Sequence, residues 1–394
     1  MDTKRDYINI GILAVCHALY MSTSILSVAI ASIASQNLLA DATYATLPQA
    51  MIPLIAMIST IPAAMLMRRI GRKNGFLVGA VAGMASGVIC SIALINADFI
   101  LFLVGVSLLG AYQAFAVFYR FAVADSADAR MKGKAISLVL AGGVLAAVIG
   151  PGMASFARDL FSPILFLGSY VATVGINFLA LVLLLFLRLP EGPVPTTRID
   201  WSKVGDALGN PRYVTAVGFC GLGTGVMMFV MTATPLAMLD CGFSVVASSA
   251  VISWHVLAMF VPSFFTGNLI ERFGLYSIMF IGLVLMAGSA VIAALGITFP
   301  HFAVSLVING LAWNFMFVGG STLLASIGDQ DSRPMLQGLN EFLTFGMTAV
   351  ATFASGAVFS LIGWTAIQIF CVIAIILLLL FMLINRRKVF LDYA

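Results

Sequence analysis

Ala64-Met65-Leu66-Met67-Arg68-Arg69-Ile70-Gly71 and Gly267-Asn268-Leu269-Ile270-Glu271-Arg272-Phe273-Gly274 stand 203 residues apart, and each ends an apolar run with a basic residue and a glycine. The same offset carries Asp128 and Arg130 onto Asp331 and Arg333. Two independent loops that keep one offset mark a chain made of two copies of one unit. Around them the sequence is 61% hydrophobic and 9% charged, whereas a soluble chain carries roughly a quarter charged residues. Water-exposed surface of ordinary size cannot be built from it, so the repeated unit is a membrane unit.

Outward from the two loops, polar punctuation divides the chain into twelve apolar stretches, at 8–33, 47–67, 75–96, 99–124, 134–157, 163–187, 212–239, 247–270, 276–298, 300–325, 335–361 and 364–385. A helix needs about 20 apolar residues to cross about 30 Å of hydrocarbon, and every stretch meets that requirement. The expected fold is therefore an all-α membrane protein of two pseudo-symmetric six-helix bundles, 1–187 and 212–394, joined by the polar linker 188–211. If the N-terminus is cytoplasmic, the cytoplasmic segments and span ends hold all of the 20 Lys and Arg except Arg158. That bias places both termini in the cytoplasm and supports an even helix count. The run after Lys4 and Arg5 is too long for a signal-peptide core of about 7 to 15 residues, so it is expected to stay as the first helix. The last stretch, rich in Ile and Leu from Ile375 to Ile384, reads as purely lipid-facing.

The five Cys residues form no CxxC pair, which argues against a zinc ribbon or redox motif. No P-loop, HExxH or GxSxG is present, so neither an ATP-driven pump nor a membrane enzyme is expected. No catalytic residue, cofactor, metal centre or nucleic-acid partner is predicted.

The six-plus-six layout, the paired loops and Gly150-Pro151-Gly152 in the fifth stretch resemble the major facilitator superfamily over essentially the whole chain. In that family the loop runs Gly-x-x-x-Asp-Arg/Lys-x-Gly-Arg-Arg/Lys, and its charges bridge helices at the cytoplasmic face. The second copy keeps Gly267, Glu271, Arg272 and Gly274, while the first keeps Arg69, Gly71, Arg72 and Lys73. Ala64 and Arg68 stand in the first copy where a glycine and an acid belong. Arg68 can only repel its cationic neighbours, so Asp125 or Asp128 is expected to supply the missing carboxylate. Asp128, Arg130, Asp331 and Arg333 complete this gate set; the plainer alternative is that the basic residues only obey the positive-inside rule. Gly150 and Pro151 resemble the span-five signature of proton-coupled antiporters, with an ordinary kink as the alternative. The span-four arginine of those antiporters is absent, and Arg120 falls near that span's cytoplasmic end, so the direction of transport stays open.

Ionisable side chains inside hydrocarbon are functional candidates by default. Glu341 is the acid that lies clearly within a span, beside Asn340 and after Gln337. There it is either a proton carrier or a carboxylate held by the helix N-terminal dipole and paired with Arg333 or Arg120. His17 and His255 join it as proton-coupling candidates. The resemblance further implies that spans one, four, seven and ten line a central cavity, with two, five, eight and eleven beside them. It gathers Tyr20, Tyr112, Gln113, Tyr119, Thr224, Trp254, Asn309, Trp313 and Asn314 as cavity candidates, each with packing as the alternative. Aromatic faces with a few amides suit a small planar or amphipathic organic solute, whereas a phosphate or inorganic anion would want buried arginines.

The segments Trp254-His255-Val256-Leu257, Pro262 to Gly267 and Gln337 to Phe342 also look like a bacterial branch of the superfamily that includes riboflavin and other vitamin carriers. The expectation is a monomeric, proton-coupled secondary transporter of the bacterial inner membrane, working by alternating access. The alternatives are lipophilic drug efflux or uniport without coupling and, more distantly, a metal exporter or a non-transporting receptor.

Overall fold

A computed structural model describes residues 3–36, 38, 47–126, 131–189, 201–329 and 332–390. Asp128, Arg130 and Asp331 lie outside the described residues, as does 190–200 of the linker. The described residues are helical, with no strand among them. One compact unit comprises Met1–Ser126 and Gly142–Arg198, the other Ala127–Ala141 and Ile199–Ala394. The fold is an all-helical bundle with eleven spanning helices, or twelve with one bent pair taken as a single span.

The first unit contains α1 (Thr3–Gln36), α2 (Leu47–Ile70), α3 (Arg72–Asn96), α4 (Phe99–Ala116), α5 (Tyr119–Ser126), α7 (Gly143–Phe156) and α8 (Leu167–Leu185). The second contains α6 (Lys132–Ala141), α9 (Trp201–Leu208), α10 (Pro211–Val217), a π turn at Gly218–Leu222, α11 (Gly223–Asp240), α12 (Val245–Phe260), α13 (Ser263–Phe273), α14 (Leu275–Leu295), α15 (Phe299–Leu324), α16 (Arg333–Ile362), α17 (Trp364–Ile384) and α18 (Arg386–Phe390). Four predicted spans are interrupted. Span four breaks between α4 and α5, span five at Gly142, and span seven at the π turn. Span eight bends by 42° between α12 and α13. The last break has a plain cause: Pro262 has no N–H to donate into the turn before it.

The internal repeat persists in the backbone. Gly71, between α2 and α3, has φ 84° and ψ 155°, and Gly274, between α13 and α14, has φ 82° and ψ 152°. Only glycine holds such a conformation without strain, which is why both loops keep it. Packing repeats as well. Gly110 of α4 lies against the Ile52 carbonyl of α2, and Gly310 of α15 lies against the His255 carbonyl of α12. Phe76 packs on Tyr119 in the first unit, and Met279 lies against Gly319 in the second. Spans two and three thus map onto eight and nine by 203 residues, and span four onto span ten by 200. With no hydrophobic force between helices in lipid, such glycines matter because they let backbones approach closely.

The last span is not purely lipid-facing: α17 buries Trp364, Ile367, Gln368, Cys371, Ile375, Leu378 and Met382 on one stripe. The indole of Trp364 donates to the Ala293 carbonyl of α14 at 2.8 Å. An unbroken Ile/Leu run hides this stripe, because apolar residues serve lipid and helix contacts alike.

Candidate functional site

In the second unit α11 and α15 place an aromatic and hydroxyl group together. Trp313 Nε1 donates to Thr224 Oγ1 at 2.9 Å, and Thr224 in turn donates to the Cys220 carbonyl inside the π turn. The indole stacks on Phe317 with centroids 4.7 Å apart and meets Phe260 edge-on at 6.0 Å. All three rings are buried, so the group is an aromatic cluster with one hydroxyl at its edge. Trp254 is 45% exposed and packs edge-on against Phe299, apart from that group.

The buried amides divide by what they hold. Asn314 donates to the Met259 carbonyl at 2.7 Å and to Ser263 Oγ, and accepts from Thr266 Oγ1 at 2.6 Å. It therefore fastens α15 to both sides of the span-eight break, with both amide hydrogens spent on the protein. Asn309 turns toward α14, donating to the Met286 sulfur at 3.2 Å. His255 is fully buried, with Nδ1 2.8 Å from the Leu306 carbonyl and Nε2 unpartnered among the described residues.

Glu341 is 2% exposed, and Oε1 accepts from Asn340 Nδ2 at 2.7 Å. Tyr213 of α10 lies close enough to act on it electrostatically, and its hydroxyl donates to the Leu336 carbonyl at 3.1 Å. Arg333 spends its guanidinium on the Ile327 and Gly328 carbonyls, where a cation complements the end of α15.

In the first unit α1 and the α4–α5 span bring His17, Tyr20, Tyr112 and Tyr119 together, all buried. His17 and Tyr20 rings are 5.7 Å apart, and Tyr20 meets Tyr112 edge-on at 5.6 Å. Gln113 is partly buried on the same span, with Oε1 unpartnered among the described residues. The residue least visible from sequence is Arg120. It falls near the cytoplasmic end of span four, yet it is 4% exposed. It donates to the Val117 carbonyl at 3.0 Å, lies 4.4 Å from the Phe121 ring and acts electrostatically on His17. Its apolar neighbours Phe118, Tyr119 and Phe121 were the available signal. The first unit does hold a buried arginine, which the expectation of an uncharged cavity had left out.

At the loop pair, Arg72 at the start of α3 forms an ion pair with Asp125 at the end of α5. The carboxylate absent from the first loop copy thus arrives from span four. Lys73 donates to the Leu185 carbonyl at 2.7 Å, Arg68 is partly buried and Arg69 is exposed. Glu271 and Arg272 are exposed, and Glu271 has no ion-pair partner among the described residues. Gly267 instead marks a close crossing of α13 on α6: its N–H donates to Ser137 Oγ at 3.1 Å, and the Ser137 hydroxyl also reaches the Ser263 carbonyl. Ser137 was not among the predicted residues, since a lone serine in an apolar span carries no sequence signal. Gly150, inside α7 with Pro151, faces Ile25 and the Ser22 carbonyl of α1.

The family model described as Major Facilitator Superfamily matches residues 12–261 and again 215–390. The riboflavin transporter RfnT of Brucella anthropi is 38% identical over 382 residues, covering 96% of each chain. The uncharacterised MFS-type transporter YdeG of Bacillus subtilis is 28% identical over 337 residues, covering 80% of this chain and 77% of its own. Among solved structures, the human organic anion transporter MFSD10 aligns with a TM-score of 0.78 at 12% identity, covering 96% of this chain and 99% of its own. The fucose:proton symporter FucP of E. coli aligns at 0.77 and 15% identity, covering 97% and 99%.

Proposed function

Because the chain belongs to the major facilitator superfamily and is a multi-pass membrane transporter, we propose that it carries riboflavin or a closely similar planar, amphipathic solute across the bacterial inner membrane, coupled to protons. One observation carries the substrate: the relationship to the riboflavin transporter RfnT at 38% identity, over 96% of both chains. The chemistry of the second unit agrees with it. The solute ring is taken to pack beside the buried Trp313–Phe317 stack, with the Thr224 hydroxyl at its rim. A fused heteroaromatic ring needs a stacking surface and a few edge hydrogen bonds, and affinity for such a ligand comes mostly from the former.

The working cycle is alternating access between two halves, 1–187 and 212–394, with cytoplasmic termini and the 188–211 linker on the same side. The coupling groups are Glu341, buried in α16, and one histidine. Arg72 with Asp125 and the turn geometry shared by Gly71 and Gly274 form the cytoplasmic gate. Purified protein in proteoliposomes tests this reading. Riboflavin should enter faster when a proton gradient is imposed, and a protonophore should remove that acceleration. Riboflavin uptake indifferent to the gradient would leave a uniporter, and absence of flavin binding by fluorescence quenching would overturn the substrate.

A further inference from the structure

The first unit holds buried polar atoms with no partner at hydrogen-bond geometry among the described residues, though Tyr170 lies beside Ser27 and Tyr112 beside Tyr119, and they form a file. At the start of α8, Ser169 Oγ and Tyr170 Oη are unpartnered, with Ser27 of α1 beside Tyr170. Two turns further along α8 both amide atoms of Asn177 are unpartnered, and the residue is fully buried. Gly83 of α3 makes room for what comes next: a Cβ there would lie 2.7 Å from the Tyr112 ring and 3.0 Å from the Asn177 amide. The Tyr112 and Tyr119 hydroxyls approach each other, again without a partner at hydrogen-bond geometry among the described residues. Tyr20 then leads to His17, whose Nε2 is unpartnered and whose other neighbours are Cys16 on its own helix and Arg120 on α5. The step from Tyr170 to Asn177 and that from Tyr112 to Tyr119 each advance about 10 Å along a helix, so the file runs through most of the hydrocarbon.

The internal repeat provides the control. The offsets that superpose the two loops and the two glycine crossings carry His17 onto Cys220, Tyr20 onto Gly223, Tyr112 onto Ala312, Tyr119 onto Gly319 and Arg120 onto Gly320. Phe102 packs on Tyr170 as Phe302 packs on Trp364, which carries Asn177 onto Cys371. Cys220 and Gly320 are neighbours in the second unit, as His17 and Arg120 are in the first. The fold therefore satisfies the same helix crossings with small or apolar residues, and the second unit's own buried polar groups, His255, Asn309, Asn314, Asn340, Thr344 and Gln368 among them, stand at other positions. Buried polar groups without partners are expensive in hydrocarbon, so an expendable file of them is kept for something that passes along it.

We propose that this file is the coupling proton's path through the first unit. Its hydroxyls and the Asn177 amide hold ordered water, and His17 relays the proton without storing it beside the Arg120 cation. Only N–H and O–H bonds form and break, and the proton taken up by the imidazole is released from it unchanged. The proposal rests on the proton-coupled reading above.

The test uses Tyr170→Phe and Asn177→Leu in the full chain, reconstituted into proteoliposomes with riboflavin as solute. Gradient-driven uptake should fall about tenfold or more, while riboflavin counterflow, which moves no net proton, should stay within about twofold of the unmodified protein. Tyr170→Phe keeps the ring packed on Phe102, so it should also keep its thermal midpoint, which loss of a structural hydrogen bond would not allow. Uptake and counterflow that fall together, or uptake that does not change while the unmodified protein remains gradient-driven, overturns the path alone. Gradient-independent uptake by the unmodified protein overturns the coupling reading and the path with it.

Discussion

Asn314 shows what a single buried amide does in this bundle. Its three bonds tie α15 to the Met259 carbonyl, Ser263 and Thr266, which flank the proline break in span eight. Side-chain hydrogen bonds between membrane helices average about 0.6 kcal/mol each, so Asn314→Leu should cost about 2 kcal/mol and lower the thermal midpoint in detergent. An unchanged midpoint would sink the clamp assignment. The Arg72–Asp125 pair stands in contrast, with side chains 17% and 24% exposed. Such a pair is worth about 1 kcal/mol or less, so Asp125→Asn should leave stability nearly unaltered. Its effect should appear as altered labelling of a cytoplasmic-side cysteine, and labelling identical to the unmodified protein would remove Asp125 from the gate. Asp125 was legible because a run of cations without an acid demands one nearby. Arg120 was not, because a span-end arginine obeys the positive-inside rule whether its side chain turns out to water or in among Phe118, Tyr119 and Phe121.

Among the elements, the two loop turns make a matched pair. Gly71 and Gly274 share one backbone conformation, and a Cβ at either would meet nothing within 4 Å. Substitution is therefore a test of backbone strain alone. Gly71→Ala and Gly274→Ala should each cost about 1 to 3 kcal/mol, by similar amounts, in a denaturation assay. A marked inequality would mean that the turns serve unlike roles. The helix count was readable because twelve apolar runs and alternating charge leave little choice. The breaks were not. Pro62 and Pro235 sit inside α2 and α11 as Pro262 sits in span eight, yet only the last ends one helix and starts another. What distinguishes it is tertiary: Asn314 and Ser137 bond the backbone on either side of the bend, and neighbours of that kind allow a transmembrane helix to break.

For the whole molecule, the charge asymmetry predicts a topology, and the repeat predicts how far its halves differ. A fluorescent protein fused after Ala394 should fold and emit, whereas alkaline phosphatase at the same place should stay inactive, if the positive-inside bias sets the proposed topology. The reverse pattern would invert every span. The halves share their turns and glycine crossings, yet their buried ionisable groups do not correspond. The first has His17 and Arg120 where the second has Cys220 and Gly320, and Glu341 has no acidic counterpart at the 203-residue offset, where Leu138 stands. Under the proposed coupling, a symmetric pair of sites is disfavoured, and one site in each half, of unlike chemistry, fits the sequence better. Glu341→Gln keeps the volume and the bond to Asn340 but cannot carry a proton. If Glu341 couples, that variant should still exchange riboflavin across the membrane at a rate within about twofold, yet lose about tenfold or more of its gradient-driven accumulation. Accumulation that persists at the unmodified level would leave His17 or His255 to carry the proton and return Glu341 to a structural part in α16.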